Sequence, residues 1–225
     1  MRARRMKRWR NVEMTEVELE ERRLPLVLNR LIKETSCTID VGCHIGSFLS
    51  AIVRLAPDGT HIAIEPSPTK CRWLRRRFPD VNIIEGAASD QTGYASFEED
   101  HARSGYSRLS NNGHGYQVRS LKLDDLPIAM ADFIKIDVEG DELKVLRGAD
   151  RLIERWRPRI IFECACELQD TNTDRRGIYE HLTDIGYEIF CFADFLYDRG
   201  PMGFDEFRKC GLYPFRAYNY IALPK

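Results

Sequence analysis

No apolar run in this chain approaches the roughly twenty residues needed to cross a bilayer, so the sequence predicts no membrane span. A strong excess of either charge is missing as well. Basic residues number 34 and acidic ones 35, a formal charge of −1, so no global field argues for nucleic acid or a membrane surface as partner. Paired cysteines are also lacking. The seven cysteines are scattered, and Cys164 and Cys166, two apart, have no second Cys or His pair at zinc spacing. Reduced, buried thiols in a cytoplasmic protein are the expectation, with no metal site. There is no internal repeat and no linker. The first ten residues carry Arg2, Arg4, Arg5, Lys7, Arg8 and Arg10 but not the apolar segment of a secretory signal. A chain of 225 residues therefore reads as one domain over 24–225, preceded by a charged arm over 1–23.

What is present is a strand–helix rhythm. Short apolar strands are expected at 37–41, 61–65, 81–84, 131–138 and 159–164, with helical stripes between them. Pro25 suits the first turn of a helix carrying Leu28, Leu31 and Ile32. Ser67-Pro68 starts another, with Trp73, Leu74 and Phe78 facing inward. One helix is expected over 143–156. An insertion at about 91–126 interrupts the rhythm with two strands and a loop rich in Ser, Gly and Asn. The last two strands, 187–193 and 218–223, have no helical pattern between them. The prediction is a Rossmann-like α/β fold: a mainly parallel sheet, helices on both faces, and an antiparallel final strand.

In such a sheet ligands lie beyond the carboxyl ends of the strands. That rule selects Asp40 with the Gly42-Cys43-His44-Ile45-Gly46 loop, Glu65-Pro66, Ala87 to Asp90, Asp137 with Glu139, and Glu163. Glycines let the backbone approach a ligand, and a carboxylate ending the second strand suits a ribose. A dinucleotide site would want a glycine where His44 stands. Asp40, two before Gly42, would repel pyrophosphate but attract the ammonium of S-adenosylmethionine. The local charge thus favours a methyl donor over a nicotinamide cofactor. A nicotinamide-dependent oxidoreductase and a non-catalytic S-adenosylmethionine-binding protein remain the alternatives.

Asp40-Val41-Gly42-x-x-x-Gly46 with Glu65-Pro66 resembles the first two motifs of class I S-adenosylmethionine-dependent methyltransferases. Glu65-Pro66-Ser67-Pro68, Ala88-Ser89-Asp90, Leu123-Asp124-Asp125-Leu126, Lys135-Ile136-Asp137-Val138-Glu139-Gly140-Asp141-Glu142 and Arg157-Pro158-Arg159-Ile160 with Glu163 narrow the resemblance to the FkbM family. Where that family's loop usually has Ala-Asn, this chain has Cys43-His44. The resemblance implies a seven-stranded sheet with a reversed final hairpin, and O-methylation of a hydroxyl on a sugar, glycan or natural product.

On this reading Asp40, Gly42, Cys43, His44 and Gly46 hold the methionine part of the cofactor. Glu65 and Pro66 meet the ribose, and Ala87, Ser89 and Asp90 border adenine. Asp137, Glu139 and Glu163 supply the base and orient the acceptor. Tyr106, His114 and Tyr116, in the insertion, touch the acceptor. Nucleic acid is not expected as a partner, and the oligomeric state is left open.

Overall fold

The computed structural model describes residues 12–99, 108–110, 115–164, 174–212 and 215–225. Seven strands form the main sheet: β1 (Thr38–Val41), β2 (His61–Glu65), β3 (Asn82–Glu85), β8 (Phe133–Ile136), β9 (Arg159–Glu163), β10 (Tyr187–Cys191) and β11 (Asn219–Pro224). Their order is β10-β11-β9-β8-β1-β2-β3. All run parallel except the final strand, β11, which is antiparallel to both β9 and β10. It slots between them, so the closing hairpin forms one border of the sheet.

Period-two alternation sorts side chains between the two faces. Ile39, Val41, Ile134, Ile136, Ile160 and Phe162 enter one core, under α4 (Glu142–Arg147), α5 (Asp150–Trp156), α6 (Arg175–Asp184) and α8 (Phe204–Cys210). Phe133, Ile161 and Ile221 enter the other, with α1 (Val12–Leu31), α2 (Ser47–Leu55) and α7 (Phe192–Leu196). A third cluster packs α3 (Pro68–Arg77) through Cys71 and Leu74 against Ala63 and Ile83.

The insertion folds into a small sheet of β4 (Ala87–Ala88), β5 (Gly93–Glu98), β6 (Arg108–Ser110) and β7 (Tyr116–Leu121), in the order β4-β7-β5-β6.

Several expectations need correction. The first helix does not start at Pro25: α1 runs through it from Val12, so the segment before residue 24 is not merely an arm. Glu20 of α1 is buried and accepts hydrogen bonds from Tyr218 N, Asn219 N and Asn219 Nδ2 at 3.1, 3.3 and 3.2 Å, fastening the helix to the start of β11. The 143–156 helix is two helices. Gly148 separates them because its backbone lies against the Ser89 carbonyl, where a Cβ would come within 2.0 Å of the oxygen. Two short helices, α7 and α8, join the last strands. Trp73 faces outward, 54% exposed. The six described cysteines, 37, 43, 71, 164, 191 and 210, are free and buried. No helix among the described residues is long and apolar enough to cross a membrane.

Candidate active site

The carboxyl ends of β1, β2, β3, β8 and β9 open onto one cavity of about 360 Å³, within the range of small-molecule sites. Because β11 runs the opposite way, its first residue, Asn219, reaches the same rim.

At one end lies the glycine loop. Gly42 (φ 76°) must be glycine, since a Cβ would fall 1.8 Å from the Asp137 carbonyl oxygen on the neighbouring strand exit. Gly46 (φ 85°) precedes α2, and a Cβ there would strike Phe78 and Leu74. His44 also has a positive φ of 50°. This turn aims the His44 N–H at Glu65 Oε2 at 3.0 Å, while the Ser67 N–H reaches Oε1 at 3.0 Å. Glu65 is 3% exposed and lines the cavity. Burial raises its pKa, and the Ser67 N–H, Lys70 ammonium and His44 N–H pull the other way. Lys70 stands between Glu65 and Glu99 at 3.9 and 3.6 Å.

At the other end Asp40, Asp137, Glu139 and Glu163 gather about one ammonium, with Glu142 beyond them next to Asp137. Asp40 and Lys135 are register partners on adjacent strands, so their side chains leave the same face. The Lys135 ammonium lies 3.7 Å from Asp40, 2.9 Å from Asp137 and 3.3 Å from the Gly42 carbonyl it donates to. Burial opposes its charge, but the Asp137 and Asp40 carboxylates outweigh this and raise its pKa. The acids outnumber this cation, and burial drives the pKa values of Asp40, Glu139, Glu142 and Glu163 up. Asp40 reaches about 6, with Lys135 restraining it, and Glu139 about 7, with Asp137 and Glu142 adding repulsion. Glu142 also reaches about 7, despite accepting from Val138 N and Gly140 N. Glu163 rises well above the ordinary range, through burial, the negative charges of Asp137 and Glu139, and a hydrogen bond with Asp137. Glu139 holds a positive φ of 58°, uncommon for a residue with a Cβ. Among the described residues no three His, Cys, Asp or Glu side chains are arranged to hold a metal ion.

Of the sequence-selected residues, Gly42, Cys43, His44, Glu65, Pro66, Ala87, Asp137, Glu139 and Glu163 line this cavity. Asp40 does not: it was expected to meet the donor's ammonium, but it is wholly buried behind the wall, 3.7 Å from the Lys135 ammonium. Gly46 shapes the loop from behind, and Ser89 and Asp90 point into each other at 3.3 Å off the wall. Tyr116 is also off the wall, its hydroxyl donating to Glu99 Oε2 at 3.2 Å, with burial pushing its pKa to about 12. Tyr106 and His114 lie outside the described residues. Sequence reasoning missed Leu24, Phe48, Phe97, Lys135 and Asn219, all on the wall. Lys135 alone had a usable signal: a lysine within the apolar strand Phe133-Ile134-Lys135-Ile136 requires buried acids. Phe207 packs on Phe162, Tyr179 and Tyr220, away from the cavity.

The sequence pattern of the Methyltransferase FkbM domain matches residues 40–189. Methyltransferase 1 of Beauveria bassiana is 25% identical over 173 residues, covering 63% of this chain and 68% of that protein. Among solved structures, methyltransferase FkbM from Methylobacillus flagellatus superposes with a TM-score of 0.58 at 18% identity. The match takes in 85% of this chain, which spans only 44% of that protein's length. StiE O-MT superposes with a TM-score of 0.51 at 14% identity, over 91% of this chain and 73% of that one. Both likenesses concern the fold.

Proposed function

Since this chain belongs to the FkbM methyltransferase family, we propose that it moves a methyl group from S-adenosylmethionine to a hydroxyl of a small-molecule or glycan acceptor. The observation that carries the donor reading is Glu65. It is buried, faces the cavity, and has one backbone N–H fixed on each oxygen. A carboxylate so held keeps lone pairs for two neighbouring hydroxyls, which fits a ribose. The backbone of Gly42, Cys43 and His44 would hold the methionine part, and Ala87 with Phe97 would border the adenine. Bound there, S-adenosylmethionine supplies an electrophilic methyl group on a sulfonium, and the protein supplies position and proton handling.

The acid end suits a neutral hydroxyl acceptor. Asp137, fixed by Lys135 at 2.9 Å, accepts the hydroxyl's hydrogen bond and orients its oxygen. Glu163, whose pKa burial and the Asp137 and Glu139 charges raise well above the ordinary carboxyl range, hydrogen-bonds to Asp137 and limits the charge there. Glu139, titrating at about 7 and facing the cavity, is matched to take the proton as the oxygen gains its methyl group.

The test has two arms. Calorimetry should detect S-adenosylhomocysteine binding that Glu65→Gln weakens by roughly 10- to 100-fold, the range for charge-assisted hydrogen bonds. No binding at millimolar ligand sinks the donor assignment. Mass spectrometry of small-molecule and glycan extracts incubated with labelled donor should find a methylated hydroxyl. Glu139→Gln should remove that turnover while keeping donor affinity; label on nitrogen or carbon would overturn the O-methyl reading.

A further inference from the structure

The outer face of α3 serves neither the sheet nor the cavity. Its sequence, Pro-Thr-Lys-Cys-Arg-Trp-Leu-Arg-Arg-Arg, contains five basic residues and no acid. Cys71 and Leu74 anchor the inner face, fully buried. Outward stand Arg72, Trp73, Arg75, Arg76 and Arg77, all exposed. Arg75 is balanced by Glu85 at 3.5 Å, Arg72 donates to Thr69 Oγ1, and Arg77 lies over the Phe78 ring. No ion pair engages Arg76 among the described residues.

Trp73 is 54% exposed and is fixed rather than loose: its indole N–H donates to the Ile45 carbonyl at 3.3 Å. Ile45, at the tip of the glycine loop, is itself 52% exposed. An indole and a branched aliphatic side chain thus stand exposed on hydrogen-bonded neighbouring segments, on a helix whose exposed positions also carry Arg72, Arg75, Arg76 and Arg77. Monomeric proteins seldom expose such a pair without use.

We propose that this face, Ile45 and Trp73 with Arg72 and Arg76, docks on an anionic lipid bilayer. Tryptophan prefers the interface between headgroups and acyl chains, isoleucine can enter the acyl boundary, and arginines attract acidic headgroups. Single-stranded nucleic acid, the competing anion, is recognised by several aromatic platforms in a row. No other aromatic residue is exposed on α3 or the glycine loop. Docking here brings the cavity rim to the membrane, because His44 and Lys70, which flank the patch, line the cavity. An amphiphilic acceptor could then reach the site from the bilayer surface. The proposal stands on this surface alone and does not depend on the proposed reaction.

The full chain is sedimented with phosphatidylcholine vesicles, with and without phosphatidylglycerol, at low and high salt. Binding is expected only to the anionic vesicles and should fall with salt. Arg72→Glu with Arg76→Glu should weaken it at least 10-fold, and Trp73→Ala several-fold, consistent with about a five-fold contribution per interfacial arginine. Arg208→Glu with Lys209→Glu, an equal charge change on α8, should bind like the wild type. Emission should shift to the blue on binding, and Trp73→Phe should remove most of that shift. Each variant's melting temperature and S-adenosylhomocysteine affinity check that the fold survives. Failure to bind anionic vesicles, wild-type binding by the Arg72/Arg76 variant, or binding of an RNA oligonucleotide in place of vesicles would each overturn the proposal.

Discussion

Glu65 and Glu142 are both buried glutamates, 3% and 2% exposed, at opposite ends of one cavity region, yet their surroundings differ. Glu65 has a backbone N–H on each oxygen and an ammonium nearby. Glu142 takes two N–H groups on Oε1 and none on Oε2, and it faces Asp137 rather than a cation. The glycine loop and the turn into α3 therefore build a place for a negative charge. The β8 exit instead packs more acid than its one lysine can neutralise. A carboxylate of the first kind serves recognition, and the second kind stores protons.

The sharpest way to break this contrast is Gly42→Ala. Its Cβ would sit 1.8 Å from the Asp137 carbonyl oxygen, so the loop and the β8 exit cannot both keep their places. We expect a loss of about 3–5 kcal/mol in urea denaturation and no measurable S-adenosylhomocysteine binding. Next comes Lys135→Met, which removes the cation shared by Asp40 and Asp137. Breaking a buried pair costs about 3–5 kcal/mol. The cost should shrink toward pH 5, as Asp40, raised to about 6, takes up a proton, and a cost independent of pH would refute the shared-cation account.

Glu142→Gln should act in the opposite direction. The folded-state pKa of Glu142 is raised from 4.5 to about 7, so its contribution to stability is complete below about 4.5 and lost as pH rises through 7. The glutamine variant keeps an oxygen for Val138 N and Gly140 N without the charge. Thermal melts should therefore match the wild type near pH 4.5 and exceed it at pH 8, by on the order of 3 kcal/mol. The smallest effect is expected from Tyr116→Phe. It loses one exposed hydrogen bond to Glu99, about 1 kcal/mol or less. Donor affinity should change less than two-fold, and a ten-fold loss would return Tyr116 to the site.

The residues legible in the sequence were those bound by local chemistry. Gly42, Glu65 and Asp137 follow strand ends, and strand ends can be read from apolar runs. The mainly parallel sheet with its antiparallel final strand followed from the strand–helix rhythm and its change at the end of the chain. What escaped depends on distant partners. Leu24, Phe97 and Asn219 belong to α1, β5 and β11, and each looks like an ordinary surface or packing residue until the topology brings it to the rim. Asp40 was read as facing the donor because sequence gives its distance from Gly42 but not the lysine opposite it on β8. Trp73 was assigned inward on hydrophobicity, although α3 already fills its inner face with Cys71 and Leu74. Pro25 signalled a helix start because its lost N–H is usually tolerated only there, but the tether from Glu20 to β11 holds the helix before it and the buried Val27, Leu28 and Leu31 hold it after.

The position of β11 also sets an order of assembly. β9 and β10 share no hydrogen-bonded ladder of their own and are joined only through residues 219–224. During synthesis both strands therefore present open edges until nearly the whole described chain has left the ribosome, and Glu20 waits for partners almost two hundred residues away. The last strand thus acts as a keystone. It completes the cavity rim at Asn219, the anchoring of α1 and the joining of β9 to β10.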